Sequence, residues 1–201
     1  MDTDYDVIIV GGGLGGSALA KVLAEHGKRV LVVERESRFT DRIRGEWIAP
    51  WGAAEAQRIG IYHTLLERCA HEAPFFDTVG QGPVRDLKAT TPQGLAALTF
   101  YHPAMQEALI QAAHNAGAEI WRGAAVREVA PGKPVAVLVE REGGLQKTTA
   151  RPVVCADECS SPGRNWGRFQ TRREKPKFYR RGNCLKRHRE SIAVPLVPFA
   201  S

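Results

Sequence analysis

This chain predicts an α/β fold with a parallel sheet, and three features of its opening stretch predict it. An apolar run, Val7 to Val10, leads straight into glycines at 11, 13 and 16; a helix-periodic segment follows as far as His26; a second apolar run, Val30 to Val33, ends on Glu34. Strand, turn, helix and strand in that order lay two strands parallel through a crossover helix.

Each part has a physical reason. Gly11 lets the chain turn sharply off the strand, Gly13 leaves room for a pyrophosphate to touch backbone, and Gly16 lets the helix pack close to the sheet. The helix then points its free N–H groups and positive dipole end at the phosphates. Glu34 lies 23 residues after Gly11, at the carboxyl end of the second strand, where a carboxylate accepts hydrogen bonds from both ribose hydroxyls of an adenosine. The pattern is that of a Rossmann-like dinucleotide site for an unphosphorylated ribose.

The totals bound the rest. A chain of 201 residues with 43% hydrophobic residues suits one domain, or one domain plus part of another, with a sizeable core. Its longest apolar run, Val7 to Ala20, is half glycine and small residues and stops at Lys21, short of a membrane span. The first residues, MDTDYD, are acidic where a signal peptide needs basic ones, so a cytoplasmic location is expected. Four cysteines without an export signal point to reduced thiols. The net charge of +6 is uneven: residues 162–201 hold 11 of the 28 basic residues and two of the 22 acidic ones, which leaves residues 1–161 with a net of −3.

In the first helix Ala18, Leu19, Val22 and Leu23 share a face, and Gly27 closes it. A charged connection follows Glu34, with Arg42 and Arg44 two apart, able to face the same way in an extended segment. Residues 52–69 read as two short helices broken at Gly60. From His71 to Phe100, Pro74, Pro83 and Pro92 interrupt short apolar pieces, which predicts strands and loops leaving the nucleotide region, with Phe75, Phe76 and Phe100 as core. A clear helix comes next, with Pro103 in its first turn, Met105, Ala108, Leu109, Ala112, Ala113 and Ala116 on its buried face, and Gly117 as its stop. Short strands with tight turns then make a β-meander: AEIW, AAVREV, VAVLVER, a Gly143-Gly144 turn, LQKTTA and VVCAD. Beyond Pro162 basic residues recur without periodicity, and no strand or helix is predicted.

Four stretches together carry a resemblance: the glycine turn with Glu34, DRIRGEWIAPWGAAEAQRIGI, YHPAMQEALIQAAHNAGAEI and VVCADECSSPGR. They resemble, in register over about the first 160 residues, the FAD-dependent aromatic-ring monooxygenases of the para-hydroxybenzoate hydroxylase type. The resemblance implies a Rossmann-like FAD-binding fold, incomplete at the C-terminus, since such proteins continue through a sheet that roofs the substrate. It divides the chain into a βαβ region at 1–72, a partial substrate-domain segment at 73–100, a return to the FAD-binding domain at 101–161, and a basic, poorly ordered tail at 162–201.

Carried over residue by residue, the resemblance places Gly11, Gly13 and Gly16 at the FAD pyrophosphate and Glu34, followed by Arg35, at the adenosine end. Arg44 matches an arginine that approaches the pyrophosphate, His102 a position near the ribityl chain, and Val126 a strand position whose backbone lies beside the adenine. In the family's second fingerprint, Gly-Ala-Asp-Gly followed by Ser and Arg, Asp157, Ser161 and Arg164 fit, whereas Cys155 and Glu158 replace the glycines. A Cβ at such a glycine is expected to crowd the cofactor, and Glu158 adds a negative charge near phosphates.

The implied function is the FAD-binding portion of a NAD(P)H-dependent monooxygenase that hydroxylates a small, aromatic molecule through a flavin C4a-hydroperoxide. The cofactor carries that chemistry, so no catalytic acid, base or nucleophile is nominated. Rival readings are a flavin-dependent halogenase or reductase, and a nicotinamide dehydrogenase, against which the proline-rich stretch from 74 to 103 argues. A nucleic-acid-binding tail with Trp166, Phe169, Phe178 and Tyr179 among its cations is a third class, and a zinc site from Cys155, Cys159, Cys184 and His188 a fourth. Neither nucleic acid, membrane nor metal is expected as a partner.

Overall fold

The structure, a computed structural model, describes residues 2–41, 46–77, 82–157 and 162–170. Strand β1 (Val7–Val10), helix α1 (Leu14–Glu25) and strand β2 (Val30–Glu34) form the expected unit, with β1 and β2 paired in parallel. Two strands from far along the chain complete the sheet: β8 (Glu119–Arg122) beside β2 and β12 (Val153–Cys155) beside β1, both parallel, in the order β12-β1-β2-β8.

Both faces of this sheet are covered, which is why its strands read as unbroken apolar runs. Alternate residues divide between the faces. Ile8, Leu31 and Val33 pack with Trp121, Val137 and Val139 under an antiparallel layer made of β9 (Ala125–Ala130), β10 (Val135–Arg141) and β11 (Gly144–Ala150). Ile9, Val30 and Val32 pack on the other side with Ala20, Ala24 and Ala113, from α1 and from α5 (His102–Asn115). The sequence's meander thus separates into two uses: its first and last strands extend the parallel sheet, and its middle three cover it.

The buried stripe of α1 is Gly16, Ser17, Ala18, Ala20 and Ala24. Leu19 and Leu23 are only half-buried at the margin of the sheet-side cluster, so small residues form the fully buried stripe and let the helix come close. Gly27 has φ +70°, as a closing glycine requires. In α5, Pro103 occupies the first turn and Met105, Leu109, Ile110 and Ala113 are buried; Gly117 has φ +103°.

A second cluster lies beside the nucleotide unit. Helices α2 (Pro50–Arg58) and α3 (Tyr62–Arg68), with Gly60 at φ +72° between them, bury Ala53, Ala56, Tyr62 and Leu65 against Leu98, Met105 and Leu109. Helix α2 starts two residues before the sequence pattern because Pro50 suits a first helical position. A small sheet, β3-β7-β4, joins Trp47–Ile48, Ala97–Phe100 and Ala70–Ala73. The Tyr62 hydroxyl donates to Glu72 at 2.8 Å, and Lys88 donates to the same carboxylate at 2.7 Å. Burial and the Glu72 carboxylate push the Tyr62 phenol up to about 12.

Two expectations need correction in this part. Phe100 is core at 7% exposure, but Phe75 and Phe76, on β5 (Phe75–Phe76), are 62% and 37% exposed. Among the described residues their strand pairs only with the two-residue β6 (Arg85–Asp86), and the Trp47 ring lies 6.0 Å from that of Phe76. Short helices also form where none was predicted: α4 (Leu87–Thr90), whose Asp86 cap accepts the Ala89 N–H, and α6 (Gly163–Trp166) at the start of the basic segment. No helix among the described residues is long and apolar enough to cross a membrane.

Candidate functional site

At the carboxyl ends of β1 and β2, where open α/β sheets bind ligands, the chain encloses a cavity of about 290 Å3. That is just under the roughly 300–1,000 Å3 typical of ligand sites. Gly11, Gly13, Glu34, Arg35, Val126 and Asp157 all line it. They come from four separate parts of the chain, and the fold brings them to one place.

The turn after β1 explains two of its glycines by contact. Gly11 has φ +103°, and a Cβ there would lie 2.6 Å from the Ala156 carbonyl oxygen. A Cβ on Gly16 would lie 2.0 Å from the Gly11 carbonyl oxygen. Gly16 does not line the cavity; it sets how closely α1 approaches the turn. Gly13, the cap of α1, has open space where its side chain would be, and among the described residues no side chain caps the helix start. An acceptor-rich ligand therefore has direct access to this helix end.

Glu34 is 8% exposed. Its Oε2 accepts the Gly12 N–H at 2.6 Å and its Oε1 accepts the Glu36 N–H at 2.8 Å. A carboxylate has about four acceptor positions, so each oxygen keeps capacity for a hydroxyl donor. Gly12 was not singled out from the sequence, although its place between Gly11 and Gly13 put it within reach of any group at the end of the second strand.

Asp157 stands opposite, just past β12. Both of its carboxylate oxygens are buried and have no hydrogen-bond partner among the described residues. A buried acceptor in that state costs free energy until a donor reaches it. Its neighbour Cys155 is exposed and does not line the cavity. Partial desolvation, then the Asp157 charge, push the Cys155 thiol up. Glu158 and Ser161 lie outside the described residues.

Val126 sits at a β-bulge. Val126 pairs with Val139 and Glu128 with Leu138, which leaves Arg127 as the extra residue between them. Arg127 lines the cavity and pairs with Glu140 across the ladder. Arg35 lines it as well and reaches Glu36 at 3.5 Å.

His102, at the start of α5, is not among the cavity residues; its backbone N–H donates to Glu46 at 3.1 Å. Gln106, one turn further on the same helix, does line the cavity. Phe39, Pro162 and Trp166 also line it; the last two belong to the stretch in which no pattern was legible. Arg42 and Arg44 lie outside the described residues, as do Cys159, Cys184 and His188 of the zinc alternative. Among the described residues no group of acids, histidines and cysteines could hold a metal ion.

Comparison with known proteins gives a consistent context. Residues 4–184 match the family described as FAD binding domain. Squalene epoxidase 6 of Arabidopsis thaliana is 46% identical over 72 residues, 36% of this chain and 14% of that protein. The p-nitrophenol 4-monooxygenase of Pseudomonas putida superposes on 83% of this chain, with a TM-score of 0.71 and 24% identity, over 44% of its own length. The anhydrotetracycline hydroxylase OxyS of Streptomyces rimosus covers 81% of this chain and 33% of its own, with a TM-score of 0.69 and 26% identity. The chain thus spans less than half the length of each of these proteins.

Proposed function

Because the chain belongs to the FAD binding domain family, we propose that its cavity seats the adenosine end of FAD and that it is the FAD-binding portion of a NAD(P)H-dependent flavoprotein monooxygenase. The observation that carries this reading is the convergence of Glu34, Asp157 and the Gly11–Gly13 turn on one cavity. Each of the three fits a different part of the cofactor.

Open space at Gly13 and the uncapped start of α1 suit the pyrophosphate, with Gly11 and Gly16 shaping the turn that presents them. Glu34 accepts the ribose hydroxyls, already oriented by the Gly12 and Glu36 N–H groups. Asp157 offers two buried acceptors without donors among the described residues, which suit hydroxyls of the ribityl chain and not a phosphate. The bulged backbone at Val126 edges the adenine, and Arg35 borders the same end. Arg44 and His102 take their roles, toward the pyrophosphate and the ribityl chain, from the family resemblance alone.

Bound FAD would supply the redox chemistry, accepting reducing equivalents from a nicotinamide donor and activating dioxygen. The residues of this chain bind and orient it. A small, aromatic substrate is supported by the nitrophenol and anhydrotetracycline enzymes among the structural neighbours. The stretch 46% identical to squalene epoxidase supports monooxygenase chemistry on an alkene instead. One assay separates the two: NADH and NADPH oxidation by the FAD-loaded chain, with and without a phenol or squalene. Stimulation by the phenol supports the first reading and stimulation by squalene the second. Donor oxidation indifferent to both contradicts the monooxygenase assignment.

A further inference from the structure

We infer that Phe39 is a cofactor-contacting residue at the adenosine end of the cavity, and that Arg122, held by Glu107, is the positioning residue that sets it there. This rests on the FAD reading above, and it concerns three residues that no motif of the chain marks.

Arg122 ends β8, in register with Glu34 on β2. Its Nη1 donates to both oxygens of Glu107 on α5, each at 2.8 Å. That pair leaves the guanidinium carbon 4.8 Å from the centroid of the Phe39 ring, within the distance at which a cation is attracted to an aromatic face. Phe39 lies in the connection after β2 and lines the cavity together with Glu34, Val126 and Gln106. The connection is anchored near its start by the Glu36 N–H on Glu34; Arg122 supplies a contact three residues further on.

The chemistry of the ligand makes this placement useful. An adenine offers a flat π-face, on which an aromatic side chain stacks favourably. Around the Glu34 end, Val33, Ala124, Ala125 and Val126 give only aliphatic surface. Among the described residues, Phe39 and Trp166 are the aromatic side chains of the lining, and Phe39 is the one that follows directly on the Glu34 strand. The cation lies on the ring without entering the cavity lining, so it fixes the ring and does not itself meet the ligand.

The test is a double-mutant cycle read by FAD and ADP affinity, with the fold of each variant followed by circular dichroism. Phe39→Ala is expected to weaken FAD binding about tenfold, in proportion to a lost base contact. Arg122→Met is expected to weaken it about threefold, in proportion to one exposed cation–π contact. Glu107→Gln, on a half-exposed carboxylate, should act like Arg122→Met and serves if that variant misfolds. Phe39→Ala/Arg122→Met should bind no more weakly than Phe39→Ala, because the cation then has no ring to hold. The same pattern should appear with ADP, which lacks the flavin. A wild-type chain that binds FAD while these variants bind it equally well overturns the inference alone, and so does strict additivity in the cycle. A wild-type chain that binds no FAD overturns the FAD reading and this inference with it.

Discussion

The Glu34 carboxylate accepts the Gly12 N–H at 2.6 Å, so the end of β2 and the turn after β1 hold one another. The acid proposed to read the ribose is thereby fixed before any ligand arrives. Its second oxygen, on the Glu36 N–H at 2.8 Å, fixes the start of the following connection.

Glu34→Gln tests this double role. An amide oxygen can serve one N–H, while its NH2 faces the other donor. The variant should lose about 1–3 kcal/mol of stability in urea denaturation and should bind FAD more weakly. Unchanged stability would show that the two backbone bonds contribute nothing.

Glycine substitutions should separate folding from binding. Gly16→Ala places a Cβ against backbone, 2.0 Å from the Gly11 oxygen, and should prevent native folding or cost more than about 3 kcal/mol. Gly13→Ala meets nothing within 4 Å. It should leave thermal stability nearly unchanged and weaken FAD binding at least tenfold, because the added methyl occupies the space proposed for the pyrophosphate. Equal FAD affinity in the wild type and Gly13→Ala would remove the pyrophosphate from that turn.

Asp157→Ala should show opposite signs in its two readouts. Removing a buried carboxylate without partners among the described residues should raise the stability of the ligand-free chain by about 1 kcal/mol. The same change should weaken FAD binding. Lower stability in the ligand-free chain would mean that this carboxylate is satisfied without the cofactor.

Acid should loosen the start of the chain. The Thr149 hydroxyl and N–H hold the Asp4 carboxyl below its ordinary 3.8, and the Arg29 N–H and guanidinium hold Asp6 below the same value. Each folded-state pKa is depressed, so each contribution is present above the unfolded value and is lost as pH falls through the folded one. Stability should therefore fall more steeply with pH below about 4 in the wild type than in Asp4→Asn/Asp6→Asn. Identical slopes would contradict the assignment.

Much of this was legible in the sequence because it is periodic or punctuated. The apolar runs of β1 and β2, the spacing in α5 and the glycines at 27, 60 and 117 each correspond to an element or a boundary. What was not legible depends on long-range contact. That β8 and β12 join β1 and β2, that small residues face the sheet from α1, and that Phe75 and Phe76 stay exposed are set by neighbours distant in sequence. In the site, Glu34 and the glycines follow a fixed local spacing. Phe39, Gln106, Arg127 and Trp166 reach the same cavity only through tertiary packing, and no local pattern names them.

Titration of the purified chain with FAD, followed by flavin fluorescence, tests the central claim most directly. Saturable one-to-one binding, competed by ADP and weakened by Gly13→Ala, is the predicted result. A folded chain that leaves the flavin signal unchanged at every FAD concentration would contradict it.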